Sequence, residues 1–381
     1  MISIALKMLI GNRASFIGVI FGIFLATLLI SQQAAIFLGL LSRSYRMVTE
    51  ISVPNIWVID PGTQGEDLIR AMPKDYIKYV KSIPNIEWAV PINYLQLPLT
   101  TSSGIFKIAE VYAIDDEKLI EPPKLLEGNI QDLHRDGGII VDFNSAEGIL
   151  ATILPDGTKI PLKLGDMLEI NGHRAVIVGI GKTNPGFFPQ PIIFTLNSQI
   201  QKFSGSSHIQ YIAAKTRKGA NVDKVLHQIN SYSNVLGLTR DQMAWRMANH
   251  FLKTGILINF GISVALGLII GFSITGQIFY IMTIHNLSYY ALIKALGGTE
   301  KMILYMILTQ AAVVGIIGYI LGTGATLLWG YAIKNTTLAF EFPWQLLVFT
   351  GLFVLIICCF TVCLSVQKVF KLDPQILMMN L

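Results

Sequence analysis

The sequence predicts an integral membrane protein in which a large extracytoplasmic α+β domain separates one transmembrane α-helix from three others. Two observations predict this class. Only 14% of the 381 residues are charged and 52% are hydrophobic, whereas a soluble globular protein carries about 25% charged residues. In addition, four long windows contain no Asp, Glu, Lys or Arg, and each exceeds the roughly 20 residues that a helix needs to cross the hydrocarbon core.

The four windows divide the chain into segments that we expect to alternate between the membrane and its two aqueous sides. In chain order these are a cytoplasmic N-terminal segment at 1–13, the first transmembrane helix at 14–42, the extracytoplasmic domain at 43–253, the second transmembrane helix at 254–284, a cytoplasmic loop at 285–301, the third transmembrane helix at 302–333, a short outer loop at 334–341, the fourth transmembrane helix at 342–367, and a cytoplasmic tail at 368–381. We expect the first helix to be an uncleaved signal anchor, because its apolar run is about twice as long as that of a cleavable signal peptide.

Basic residues in the short connections predict the orientation, because Lys and Arg are enriched on the cytoplasmic side of membrane helices. They lie in alternate connections, at Lys7 and Arg13, at Lys294 and Lys301, and at Lys368 and Lys371. Arg43 and Arg46 argue against this orientation, but they begin a long domain, where the rule is weak. The sequence therefore predicts cytoplasmic termini and an outer domain at 43–253, with Trp245 and Trp344 near the outer interface.

The outer domain has mixed helix and strand signals and a balanced charge, with 22 Lys and Arg against 21 Asp and Glu. Alternating or continuous apolar runs predict strands, and apolar residues three or four apart predict helices. These patterns place strands at 55–60 and 137–142, helices at 74–83 and 221–232, and a β-hairpin at 166–180 that turns at Asn171-Gly172. We expect a β-rich subdomain near 135–215. We expect no disulfides in the domain, because all three cysteines lie in the last apolar window.

The sequence contains no pattern of a catalytic, nucleotide-binding or metal site. Gly179–Thr183 reads GIGKT, but Val176 replaces the first glycine of a phosphate-binding loop and the following prolines exclude the helix that would hold phosphate. The six histidines lack metal-ligand spacing, and the acidic residues Asp115–Glu117 are typical of a solvated turn. The net charge of +5 is not concentrated in one soluble region, so no nucleic-acid partner is expected.

The predicted spans contain glycines at positions that allow helices to approach closely. Three pairs lie four residues apart: Gly18 and Gly22, Gly267 and Gly271, and Gly318 and Gly322. Such pairs support helix packing within a chain or a dimer seam, and the sequence leaves both open. No Asp, Glu, Lys or Arg lies inside a span, which argues against a proton- or ion-coupled carrier, because such carriers keep ionisable groups at mid-membrane.

The loop between the second and third spans contains a short helix with apolar residues on both sides. The helix is predicted at Tyr289–Leu296, ends at Gly297-Gly298, and is followed by Thr299, which can cap the next helix. A half-apolar helix on the cytoplasmic face suits docking in the groove of a partner protein. It equally suits an interfacial helix lying in the lipid headgroups.

This loop resembles the hallmark of MacB/FtsX-type ABC transporter permeases, in which E-x-A-x-L-K-A-(L/I/M)-G precedes the third span. The chain reads YYALIKALGG at 289–298, with Tyr289 where the pattern has an acidic residue. The segments GGIIVD at 137–142 and KLGDMLEINGHRAVIVGIG at 163–181 resemble the periplasmic core domain of the same group. The segment 239–297 is similar to DevC-type permeases within it, and the arrangement of one plus three spans also fits.

The resemblance implies the membrane subunit of an ABC exporter, with a MacB-like periplasmic domain, that forms a homodimer in the bacterial inner membrane. It implies no cofactor in this chain, because ATP and Mg²⁺ would bind a separate cytoplasmic ATPase. DevC-type systems also use a periplasmic adaptor (membrane-fusion) protein and an outer-membrane channel. The implied ATPase-docking residues, which form the coupling helix, are Ser288, Tyr289, Tyr290, Ala291, Leu292, Ile293, Lys294, Ala295, Leu296, Gly297 and Gly298.

Three other functions stay open at this point. A lipoprotein-releasing permease would share the same layout. An FtsX-like transmitter that controls a cell-wall hydrolase would have a smaller outer domain than the 211 residues at 43–253. A membrane-anchored enzyme would need a catalytic constellation, and the sequence contains none.

Overall fold

The computed structural model describes residues 2–51, 53–119, 124–184, 186, 190–206, 208–334, 336 and 338–370. The predicted cytoplasmic tail lies outside the described residues from 371 onwards, as do residues 335 and 337 of the predicted outer loop. The chain forms two compact units, one comprising Met1–Leu40 with Gly255–Leu381 and the other Leu41–Thr254. We call them the membrane unit and the outer domain.

Helices and strands alternate in the outer domain, whereas the described part of the membrane unit is helical. The α-helices are α1 (Ile2–Gly11), α2 (Arg13–Arg43), α3 (Arg46–Glu50), α4 (Tyr76–Ser82), α5 (Asn197–Ser204), α6 (Val222–Ile229), α7 (Arg240–Lys253), α8 (Ile256–His285), α9 (Leu287–Ala295), α10 (Glu300–Ile333) and α11 (Trp344–Phe370). The strands are β1 (Ile56–Ile59), β2 (Ile86–Thr101), β3 (Phe106–Ile114), β4 (Lys124–Gly128), β5 (Gly138–Asp142), β6 (Thr152–Ile153), β7 (Lys159–Ile160), β8 (Met167–Ile170), β9 (His173–Lys182), β10 (Ile192–Leu196), β11 (Tyr211–Thr216) and β12 (Leu236–Thr239).

Four helices of the described chain, α2, α8, α10 and α11, are long and apolar enough to cross a membrane. This confirms the predicted arrangement of one span followed by three. Their inner faces share an apolar core that includes Val19, Ile23, Phe279 and Ile307. Their outer faces are also apolar; Leu328, for example, is 72% exposed. Apolar side chains on both faces are what a helix needs when its outside contacts lipid instead of water.

A ten-stranded mixed sheet forms the centre of the outer domain, in the order β12-β1-β11-β2-β3-β10-β5-β9-β4, with β8 paired to β2 and β9. Neighbouring strands are antiparallel except for β3 with β10 and β5 with β9. The 16-residue strand β2 connects the two halves of the sheet, because its first half pairs with β11 and its second half with β3. The sheet therefore extends well beyond 135–215, the region that the sequence predicts as β-rich.

Helices cover both faces of the sheet around β1. Ile56 and Val58 pack into a core shared with α4 and α6. Trp57 and Ile59 point the other way and pack with Met47 of α3 and with α7. Because successive strand residues face opposite sides, a strand covered on both faces needs a continuous apolar run, which is the pattern of β1.

The local elements predicted from the sequence are present in the outer domain, which confirms the α+β class. The strands β1 and β5 and the helices α4 and α6 lie within the predicted ranges. The hairpin formed by β8 and β9 turns at Asn171 and Gly172, whose φ angles are 49° and 80°. Two successive positive φ angles are the signature of a type I′ turn.

Candidate functional site

The candidate docking site is the short helix α9, which carries an apolar stripe on its exposed face. Tyr289, Leu292 and the C-cap residue Leu296 are 59%, 51% and 80% exposed. They are spaced three and four residues apart, so their side chains lie on one face of the helix. We call these three residues the α9 stripe. An exposed apolar stripe at this spacing suits a groove in a partner protein.

The opposite face of α9 packs against the other helices of the membrane unit. Tyr290 and Ala291 are only 1% and 5% exposed, and Ile293 packs partly into the same core. The Tyr290 hydroxyl donates a hydrogen bond to Oε1 of Gln310 on α10, at 3.2 Å. The helix is thus anchored on one side while the stripe points away from the anchor.

The end of α9 is built by the two glycines predicted to end it. Gly297 has a φ of 90°, and its N–H donates to the Lys294 oxygen at 3.1 Å, while the Gly298 N–H donates to the Ile293 oxygen at 2.9 Å. These two bonds form a Schellman motif, in which a residue with positive φ satisfies the last carbonyl groups of a helix. A Cβ at Gly298 would lie 2.6 Å from Ile293, so the close turn also requires a residue without a side chain.

The predicted cap of α10 is wrong in one respect. Thr299 occupies the N-cap position with an extended backbone, but its side chain makes no capping hydrogen bond. The first turn carries Glu300 instead, whose negative charge is favourable near the positive end of the helix dipole. Lys294 Nζ lies 3.5 Å from the Glu300 carboxylate, so an ion pair joins α9 to the start of α10.

All six predicted packing glycines lie against neighbouring helices of the same chain. Gly18 faces Ile278, Gly22 faces Ile274 and Thr275, Gly267 faces Ile30, Gly271 faces Ala26 and Ile357, Gly318 faces Ile23, and Gly322 faces Thr27. The helix α2 therefore packs closely on both α8 and α10. A hydrogen bond of 2.6 Å between the hydroxyls of Ser31 and Thr326 adds a polar contact between α2 and α10. The structure places the three pairs at contacts within the chain.

The outer domain contains a buried ionisable cluster around Arg46. Arg46 is 2% exposed and donates hydrogen bonds to Glu110 Oε2 at 2.8 Å, to the Tyr112 hydroxyl at 2.5 Å and to the backbone oxygen of Asn184 at 3.0 Å. A buried charge is tolerated when it is paired and hydrogen-bonded in this way. Arg46, whose charge flanks the predicted first span, is thus a core residue of the outer domain.

A second carboxyl of this cluster, that of Glu66, has a raised pKa. Glu66 is half-buried as a residue, but its Oε1 atom is enclosed and has no hydrogen-bond partner among the described residues. Burial raises the pKa of Glu66 to about 7, because desolvation outweighs the attraction of Arg46, and the nearby Glu110 raises it further. Burial also raises the pKa of Glu110, although Arg46 opposes the shift. Two carboxyls near one guanidinium thus both have raised pKa values, because burial disfavours their charged forms.

The segments dismissed as phosphate or metal sites have structural roles. Gly179 to Lys182 lie in the extended strand β9, and Thr183 donates two hydrogen bonds to Asp142, so the segment does not curl around a phosphate. The oxygen atoms of Asp116 accept hydrogen bonds from Ser198. Among the residues that the structure describes, no group of three or more His, Cys, Asp or Glu side chains is placed to hold a metal ion.

Sequence reasoning did not detect the partners of the two central side chains, Tyr290 and Arg46. Gln310 could have been noticed as an amide inside an otherwise apolar window, since a polar group at that depth needs a partner. Helix α7 was also missed, although Thr239 and Gln242 form a capping box with reciprocal bonds of 3.2 and 3.0 Å. The spacing of a Thr and a Gln three residues apart is a recognisable start signal.

Comparison with known families decides the classification. The model of the MacB-like periplasmic core domain matches residues 15–232, which is more than half of the chain. The chain belongs to the MacB/FtsX-type ABC permease family. The model of the FtsX-like permease C-terminal region matches residues 261–374, so the two models together cover most of the outer domain and most of the membrane unit. No curated protein sequence matches this permease.

Solved structures that are similar to parts of the permease include the following two. The periplasmic region of MacB from Actinobacillus actinomycetemcomitans has 15% identity and a TM-score of 0.40, covering 53% of this chain and 96% of that chain. The extracellular domain of the ABC-type transporter YknZ from Gram-positive bacteria has 10% identity and a TM-score of 0.36, covering 49% of this chain and 100% of that chain.

Membership of the family has three direct consequences. The permease is a non-catalytic membrane subunit of an ABC-type system, as the sequence predicts, and its family implies a partner ATPase. It is a multi-pass membrane protein with a periplasmic or extracellular domain. The DevC subtype, the docking residues and the further partners stay predictions.

Proposed function

We propose that this permease is the membrane subunit of a DevC-type ATP-driven exporter and relays motion from a separate ATPase to its outer domain. The α9 stripe carries the proposal. It combines an exposed apolar surface with a firmly held opposite face, where Tyr290 is 1% exposed. A helix that is pushed by a partner transmits force only if its other side is packed against the element to be moved, because packed cores shift as units.

The proposed partners follow from this role. Two copies of the permease form a dimer in the bacterial inner membrane, with both termini cytoplasmic, and each docks an ATPase that holds ATP and Mg²⁺. The permease itself needs no cofactor. In the periplasm the outer domain works with an adaptor protein and an outer-membrane channel. The absence of Asp, Glu, Lys and Arg from the predicted spans at 14–42, 254–284, 302–333 and 342–367 supports an external source of energy.

The docking role can be tested at Leu292, which is 51% exposed at the centre of the α9 stripe. We expect Leu292→Asp to abolish co-purification of the ATPase, because a carboxylate cannot be desolvated in an apolar groove without a partner. The protein should still insert in the membrane, since the side chain makes no core contact. Co-purification at the normal level would refute the docking role.

Two control variants make the result specific. Leu292→Met keeps an apolar side chain of similar volume at the same place and should retain the ATPase. Ile4→Asp introduces the same charge at a 47% exposed apolar position of α1 and should also retain it. Loss of the ATPase in either control would show that the effect of Leu292→Asp is not caused by the stripe.

The exporter role itself is tested by gentle purification of the native complex and identification of its components. An adaptor and an outer-membrane channel would support the proposal. A bound cell-wall hydrolase would favour an FtsX-like transmitter instead, and bound lipoprotein would favour a lipoprotein-releasing permease.

A further inference from the structure

One amide side chain joins three helices at the cytoplasmic end of the membrane unit. Gln310 on α10 has no exposed surface. Its Oε1 accepts the hydrogen bond from the Tyr290 hydroxyl of α9 at 3.2 Å, and its Nε2 donates to the backbone oxygen of Ala5 in α1 at 2.9 Å. Both ends of the amide are therefore used, and each reaches a different helix.

The surroundings make these two bonds decisive for the arrangement of the helices. Ala5 and Leu9 lie one turn apart on α1, are fully buried, and share an apolar core with Tyr290, Ile303 and Ile307. In apolar surroundings an amide or hydroxyl that loses its partner finds no water to replace it. The three helices consequently favour the one arrangement in which the donors and acceptors of Gln310 meet their partners.

We propose that Tyr290 and Gln310 are positioning residues that clamp α1 to α9, so that α1, α9 and the start of α10 move as one body. The force that would move α9 rests on the proposed function. The two hydrogen bonds of the clamp do not depend on it. Asn12 is the single residue between α1 and α2. A displacement of α9 would therefore reach the first span through α1, in addition to reaching the third span directly.

The clamp is tested by measuring the distance between α1 and α9 in the purified full chain in lipid nanodiscs, without ATPase. The three native cysteines are replaced by serine, and spin labels are attached to Ser3→Cys and Ser288→Cys, both at exposed positions. Tyr290→Phe removes only the hydroxyl and keeps the ring in its core. We expect the population with a longer distance to rise about fivefold, which is the effect of losing one buried hydrogen bond.

The neighbouring residue provides the matched control. Tyr289→Phe removes the same hydroxyl from a side chain that is 59% exposed, and should leave the distance distribution unchanged. Gln310→Leu should broaden the distribution at least as much as Tyr290→Phe, and adding Tyr290→Phe to it should have little further effect, because both changes break the same connection. An unchanged distribution in Tyr290→Phe, or the same broadening in Tyr289→Phe, would overturn the clamp.

A second measurement separates the clamp from the docking role. With the ATPase bound, addition of ATP and vanadate should change the mobility of a label at Ser3 in the otherwise unchanged protein but not in Tyr290→Phe. Both proteins should retain the ATPase, because the Tyr290 side chain is 1% exposed and lies on the face opposite the α9 stripe. If the ATPase fails to bind the unchanged protein, the proposed function fails while the distance measurement still decides the clamp. If both proteins bind it and respond equally, the clamp is wrong and the docking role stands.

Discussion

The packing of Gly322 on α10 allows a sharp test of how the spans are held together. A Cβ added at Gly322 would lie 2.6 Å from Thr27 Cβ and 2.9 Å from the backbone oxygen of Phe24, both on α2. Two residues further along the same helix, a Cβ at Gly324 would meet nothing within 4 Å. We therefore expect Gly322→Ala to destabilise the membrane unit and Gly324→Ala to leave its packing unchanged.

The magnitude follows from the distances. Ordinary contact begins at 3.4 Å, so α2 and α10 would have to separate locally by about 0.8 Å, and the Phe24 oxygen cannot rotate away because it is backbone. Overpacking of this kind costs about 1–3 kcal/mol. Both substitutions gain about 1 kcal/mol of helix propensity, and this gain cancels when the two variants are compared. Gly322→Ala should consequently unfold roughly 5 °C below Gly324→Ala.

The cysteines of α11 provide an assay that reports on the membrane unit alone, because the outer domain has no cysteine. Cys359 and Cys363 are replaced by serine, and Cys358, whose Sγ lies 3.6 Å from the Ala311 oxygen of α10, is left to react with a thiol-sensitive dye during heating. Equal midpoints for Gly322→Ala and Gly324→Ala would refute the packing argument. A Gly322→Ala variant that loses its oligomeric state at an unchanged midpoint would instead indicate a dimer seam.

Two further predictions concern the outer domain and the orientation of the chain. The folded-state pKa of Glu66 is about 7, above its ordinary value of 4.5. Protonation of this carboxyl therefore stabilises the folded domain by up to about 3 kcal/mol. This stabilisation is complete below pH 4.5 and is lost as the pH rises through 7. Glu66→Gln should abolish that loss, so its thermal midpoint should exceed that of the unchanged protein at about pH 8; parallel profiles of the two proteins would contradict the assignment. Alkaline phosphatase fused after Leu381 should be inactive if the C-terminus is cytoplasmic. The same enzyme inserted at the exposed turn Asp156-Gly157 should be active. The reverse pattern would show that the predicted orientation is inverted.

Local signals were sufficient for several parts of the fold. The Asn171-Gly172 turn was predictable because few residue pairs accept two positive φ angles, and the end of α9 was predictable because Gly297 can adopt the left-handed backbone that closes a helix. In contrast, β2 was not predicted, although with 16 residues it is the longest strand among the described residues. It contains Pro91 and Pro98, and a proline normally argues against a central strand because it cannot donate to the ladder.

The structure joins β2 to residues that are distant in the chain. The Pro91 carbonyl oxygen accepts a hydrogen bond from the Asn197 side chain at 3.0 Å, and the Pro98 carbonyl oxygen accepts one from the Asn171 N–H at 2.8 Å. These donors are about 70 to 110 positions away in the chain, so no window of the sequence contains both partners. The sheet that joins the two halves of the outer domain was consequently invisible to local reasoning.

The sequence by itself determined the class of this protein, because a membrane imposes its length and polarity requirements on every span separately. It also determined the family, through a short loop motif and the order of the segments. Only the tertiary structure decided which face of α9 is exposed, where the six glycines pack, and that Arg46 pairs with Glu110 and Tyr290 with Gln310. Each of these depends on which distant residues contact one another in the folded chain. Burial, pairing and close approach arise from those contacts, so no single segment of the sequence reveals them.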